Sequence, residues 1–77
     1  MNSTAAANLA QLAAEVHAAR LALGIGQNEF ARRAGVDQAV LSKLVRGKVL
    51  AGPSERKIRA YLGRVRRSVV ARERKVS

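Results

Sequence analysis

Residues Gln27 to Arg46, QNEFARRAGVDQAVLSKLVR, hold two short runs of helical spacing separated by Gly35, Val36 and Asp37. No other stretch constrains the fold as much. Phe30 and Ala34 stand one helical turn apart, as do Leu41 and Leu44, so each run offers one apolar edge to a common core. The first run, Gln27 to Ala34, is too short to persist as an isolated helix and must fold against its neighbour. Gly26 serves as its N-cap, and Glu29 lies in the first turn, where a carboxylate suits the helix dipole. Ala31 presents only a methyl group where the two helices would cross most closely. Gly35 can take the left-handed conformation that ends the helix Gln27 to Ala34, the second of the chain, without a Cβ penalty. Asp37 is then expected to cap the next helix, its carboxylate accepting a backbone N–H near Val40, with that helix running from Gln38 to about Val45.

The remainder must supply what those two helices pack on. At 77 residues the chain has length for one domain, 1–77, and one small core, since a chain of this size buries only about 60% of its unfolded surface. Hydrophobic residues make up 48% and aromatics 3%, which predicts closely packed helices with a core of Leu, Val, Ile and Ala. From about Ser3 to Leu23 the sequence is rich in helix formers and places Leu9, Leu12, Val16 and Ala19 at helical spacing. Ser3 or Thr4 would cap this helix, Gly24 would end it, and Ile25 would fold back onto its end.

Charge is distributed unevenly. Lys and Arg number 15 against 5 Asp and Glu, a net charge of +10, which favours a polyanionic partner. Residues 1–26 are neutral, 27–52 carry +3 and 53–77 carry +7, so a neutral scaffold precedes the contacts to the polyanion. No Cys is present, which removes disulfides and thiolate metal sites, and His17 has no second His to complete a ligand set. No cofactor, metal or small-molecule ligand is expected, and the scarcity of acids and His argues against an enzyme. No segment approaches the ~20 apolar residues of a membrane span. A cytoplasmic protein fits these features.

Taken together, the residues from Gln27 to Arg46 resemble the helix-turn-helix of the Cro and phage-repressor (XRE) family. Arg46-Gly47-Lys48 after the third helix, and Pro53-Ser54 before the apolar Ile58 and Leu62, resemble that family's exit loop and fourth helix. The likeness covers about Leu12 to Leu62, and it departs at Gly26, where the family usually has Ser or Thr, and in a somewhat long exit loop at Val49 to Gly52. It implies an all-α, compact four- to five-helix lambda-repressor-like DNA-binding domain with the helix-turn-helix at 27–46. It also implies that the third helix enters the major groove of double-stranded DNA.

On that resemblance Gln38, Ala39, Ser42 and Lys43 would face base edges. Gln pairs bidentately with adenine, Lys donates to guanine acceptors, Ser does either, and the Ala39 methyl meets a thymine methyl. Gln27 and Asn28 would lie against the sugar-phosphate backbone at a helix N-terminus, and Arg46, Lys48, Arg32 and Arg33 would hold phosphates. The plain alternative for Gln38, Ser42 and Lys43 is a solvated polar face, as it is for the run Arg64, Arg66 and Arg67.

The C-terminal segment is open to two readings. Ile58, Leu62, Val65, Val69 and Val76 fall near one helical stripe, so a helix from Pro53-Ser54 either runs through Gly63 or breaks there. The cost of about 1 kcal/mol for an interior Gly favours the break. A fourth helix would then end at Leu62 and a fifth run from about Arg64 to Arg74, giving a core at about 9–62 and a basic, valine-containing helix or tail at 63–77. Tyr61, Val65, Val69 and Val70 are expected at a homodimer interface, with coverage of the first helix in the same chain as the alternative.

The function these expectations describe is a sequence-specific regulator, a homodimeric repressor reading a palindromic operator. No sensing or peptidase domain is expected on this reading. The alternative is a protein-interaction module of the antitoxin or antiactivator type, holding a protein partner through its C-terminal face. RNA binding fits less well, because Phe30 and Tyr61 are the only aromatics to stack on.

Overall fold

The computed structural model describes the backbone of residues 2–76 and the side chains of residues 8–71. Four helices follow in order: α1 (Asn2–Leu23), α2 (Gln27–Ala34), α3 (Gln38–Val45) and α4 (Gly52–Val76). There is no strand among the described residues. The all-α expectation is met, with four helices.

The stripe on α1 buries Leu12, Val16 and Ala19, with Leu9 half-buried beside them. Helix α1 starts at Asn2, so Ser3 and Thr4 lie within it and do not cap it. It ends as the sequence indicates, with Gly24 at φ +67° and the Ile25 N–H donating to the Arg20 carbonyl at 3.1 Å.

The α2–α3 turn follows the same geometry. Gly35 adopts φ +81° and the Val36 N–H donates to the Ala31 carbonyl at 2.9 Å, which satisfies a carbonyl the helix end would otherwise orphan. Asp37 occupies the N-cap position of α3 with extended backbone, but its side chain makes no capping hydrogen bond. The expected bond to the Val40 N–H goes elsewhere: that N–H donates to the Asp37 backbone carbonyl at 3.0 Å.

Phe30, Ala31 and Ala34 of α2 and Leu41 and Leu44 of α3 meet in the core, joined by Ile58, Leu62 and Val65 of α4. Leu50, in the exit loop, is also buried and anchors that loop to the core. Tyr61 approaches Phe30 edge-on, with ring centroids 5.0 Å apart and planes at 76°, an arrangement worth about 0.5–1.5 kcal/mol beyond area burial.

Helix α4 does not break at Gly63. It runs unbroken from Gly52 to Val76, and no fifth helix forms. The energetics favour continuity because Val65 is buried and Val69 half-buried against the core. Fully burying a valine stabilises by roughly 1.5–3 kcal/mol, which exceeds the ~1 kcal/mol cost of the glycine. The core therefore extends past the expected boundary at Leu62. The side chain of Val76 and the charges of Arg72, Glu73, Arg74 and Lys75 lie outside the described residues.

A Cβ built at Gly63 would meet nothing within 4 Å. Gly63→Ala is therefore expected to raise stability by about 0.5–1 kcal/mol. Gly35→Ala, at φ +81°, is expected to lower it by about 1–2 kcal/mol. Urea denaturation midpoints of the two variants check both signs.

Candidate nucleic-acid interface

Leu41 and Leu44 fix α3 by one side, and the other side faces solvent. Gln38, Ala39 and Lys43 are exposed and Ser42 is half-buried. These four positions fall on adjacent turns opposite the leucines, so the structure brings together on one face the residues expected to meet base edges. At the N-terminus of α2, Gln27 is half-buried and Asn28 exposed, after an extended Gly26. The first N–H groups of that helix have no partner within it.

At the other end of α3, Arg46 is the C-cap and Gly47 takes φ +78°. The Lys48 N–H then donates to the Lys43 carbonyl at 2.9 Å, which turns the chain sharply and leaves Arg46 and Lys48 exposed on either side of the glycine. Neither Lys43, Arg46 nor Lys48 has a carboxylate partner among the described residues.

Arg32 and Arg33 are placed differently from the other expected phosphate contacts. Both reach the Glu29 carboxylate, Arg33 through Nε at 2.8 Å and Arg32 through a guanidinium nitrogen. Hydrogen bonding from Arg33, and then from Arg32, holds the Glu29 carboxyl below the usual carboxylate range. The same carboxylate, with a smaller contribution from the Tyr61 hydroxyl, raises the pKa of Arg33. The i,i+3 and i,i+4 spacing of these groups is the sequence signal that could have revealed the pairing.

Lys57 of α4 was not among the expected contacts, yet its aliphatic chain lies 4.0 Å from where a Cβ on Gly35 would stand. That puts a cation beside the α2–α3 turn. The sequence gives no local signal for it, because the approach depends on how α4 crosses α2.

The four residues expected at a two-fold interface separate into two groups. Tyr61 is half-buried against Phe30 and Val65 is buried, so both serve the core of their own chain. Val69 is half-buried and packed against that core, while Val70 remains 45% exposed. Among the described residues no group of His, Cys, Asp and Glu could hold a metal ion, and no helix is long and apolar enough to cross a membrane.

A family model described as helix-turn-helix matches residues 16–70, from the middle of α1 through Val70. No curated protein and no solved structure matches the chain.

Because the folded pKa of Glu29 is depressed, its carboxylate stabilises the fold above pH 4.5, its unfolded value, and loses that contribution as pH falls through the lowered folded pKa. Below pH 4.5 the stability of the natural chain should therefore fall more steeply with pH than that of Glu29→Gln. Urea midpoints measured across the acid range check this difference.

Proposed function

As the chain belongs to the helix-turn-helix family of the Cro and phage-repressor (XRE) type, we propose that it is a sequence-specific regulator of transcription. It reads double-stranded DNA by placing α3 in the major groove. The observation that carries this reading is the exposed face of α3, which joins one amide, one hydroxyl, one ammonium and one methyl group on a helix held by its opposite side. Gln38, Ser42 and Lys43 supply the hydrogen bonds to base edges and Ala39 the apolar contact.

Gln27 and Asn28 meet one phosphate through the N-terminus of α2, and Arg46 and Lys48 hold another beyond the end of α3. Arg32 and Arg33 contribute less to phosphate binding than their charge suggests, because Glu29 neutralises part of it. Repression by occupying an operator needs nothing beyond this interface. A cytoplasmic location on the nucleoid follows from the same activity.

Two copies would fill a palindromic operator, with their α3 helices in successive major grooves about 34 Å apart. Tyr61 and Val65 are taken up by the core of their own chain. The pairing we propose is accordingly weak in free solution and forms on DNA, where phosphates neutralise the +10 charge of each chain. The free chain is expected to sediment as a monomer at micromolar concentration and to bind a selected palindromic duplex as two chains per duplex.

Gln38→Ala is expected to relax preference at one base pair by about 1–3 kcal/mol and leave the others unchanged. Arg46→Ala should weaken all duplexes alike and reduce the slope of log affinity against log salt by about 0.9. Selection from a randomised duplex pool, followed by titration of the winners at several salt concentrations, measures both. A footprint unchanged by Gln38→Ala and Lys43→Ala together would overturn the assignment of α3 as the reading element.

A further inference from the structure

Residues 1–26 are neutral only as a sum, in which Arg20 cancels Glu15. The structure does not pair the two. Glu15 lines a groove of about 400 Å³ between α1 and α4, together with Ala18, Ala22 and Val69, and its carboxylate is engaged there by Arg66 of α4. Arg20 therefore keeps its full charge. Glu29 is taken by Arg32 and Arg33 and Glu55 by Arg59, so no carboxylate among the described residues pairs with Arg20.

Arg20 stands in the last turn of α1, next to the stripe that the core holds. Val16, one turn back, is buried, and Leu23, three residues on, packs against the same cluster. Beside them the Arg20 Nε is shut off from solvent and has no hydrogen-bond partner, the one side-chain nitrogen or oxygen in that condition among the described residues. The two terminal nitrogens differ: they make no hydrogen bond either, but they are not shut off from solvent. A buried donor without a partner is costly, and more so on a cation. An unbranched apolar side chain would fill the same space without that cost.

The position of this guanidinium follows from the helices around it. Helix α1 packs on α3 as well as on α4. The groove residues Glu15, Ala18 and Ala22 mark the flank turned to α4, and helical spacing puts Arg20, with the half-buried Ala13, on the other flank, toward α3. The Arg20 carbonyl accepts the Ile25 N–H at 3.1 Å. Gln27, where α2 begins, then lies at most about 7 Å from Ile25 even along extended chain. Arg20 thus belongs to the corner where α1 gives way to α2, on the side of the reading helix.

We propose that Arg20 is a phosphate-binding residue, whose terminal nitrogens meet the DNA backbone beside the phosphate held by Gln27 and Asn28. The inference rests on the DNA reading above and extends the interface from α2 and α3 to α1. A guanidinium with a packed stem and a dry Nε gives up little rotamer freedom when it meets a phosphate oxygen. The bond formed is charge-assisted, and it supplies the counter-charge that the fold withholds.

The test uses the full chain, a duplex selected from a randomised pool and a random duplex. Arg20→Met keeps the unbranched stem and removes both the charge and the orphaned donor. Its affinity for both duplexes should fall about tenfold at low salt, roughly 1.4 kcal/mol, and the slope of log affinity against log salt should decrease by about 0.9. Its urea midpoint should equal or exceed that of the natural chain, because an unsatisfied donor is lost and the packed stem is kept. Arg20→Lys, which keeps the charge without the fork, should retain the natural slope.

Natural affinity and slope in Arg20→Met would overturn the proposal and leave the reading by α3 intact. A lower urea midpoint with an unchanged slope would make Arg20 a support of the fold and overturn it as well, as would a slope in Arg20→Lys as low as that of Arg20→Met. If the natural chain selects no duplex from the pool, the DNA reading itself falls and takes this assignment with it.

Discussion

The burial of Phe30 is the contact on which the orientation of α3 depends. Its ring is fully buried and meets Tyr61 edge-on, so α2 is held to α4 at the point where α3 also leans on the core. Helix α3 has eight residues, far fewer than a helix needs to persist alone in water. Its direction is set by Leu41 and Leu44 against that anchored neighbour. Removing a buried phenylalanine ring costs about 3–5 kcal/mol, a large share of the roughly 5–10 kcal/mol that holds a small domain together. The exposed face of α3 is thus a consequence of core packing, although none of its polar residues takes part in that packing.

Ion pairs shape the surface more than they stabilise it. A pair as exposed as Arg59 with Glu55 contributes about 0–1 kcal/mol. The larger effect of such pairs is to remove carboxylates from the electrostatic field. Glu15, Glu29 and Glu55 each face an arginine, whereas the cations around the end of α3 have no such partner among the described residues. Lys43, Arg46 and Lys48 thus keep their full charge where the chain turns out of α3.

Much of the helix-turn-helix was legible because its signals are local. The apolar spacing of Phe30, Ala34, Leu41 and Leu44 and the glycine between the runs fixed the positions of α2 and α3. The left-handed glycines at the ends of α1 and α2 gave the stops. The sequence was misleading where a local cost competes with a distant gain. Gly63 reads as a breaker when only its own turn is weighed, and the buried face of Val65 and Val69, invisible until α1 is in place, reverses that balance. Asp37 stands at the expected position, but its side chain bonds nothing there, since the first bond of α3 closes through backbone alone. Leu50, Lys57 and the Glu15–Arg66 pair depend on contacts between segments far apart in sequence. The outward face of α3 could be anticipated residue by residue, whereas the groove between α1 and α4 needed the crossing of two helices to exist at all.

The unbroken α4 has a mechanical consequence. At ~1.5 Å per residue its 25 residues form a strut of roughly 37 Å, comparable with the 42 Å long axis of the molecule. The strut lies under the α2–α3 turn near Lys57 and beside the groove at Val69, with no joint between. The α2–α3 turn and the side of α4 that packs on α1 are thus carried by one continuous helix and belong to one folding unit.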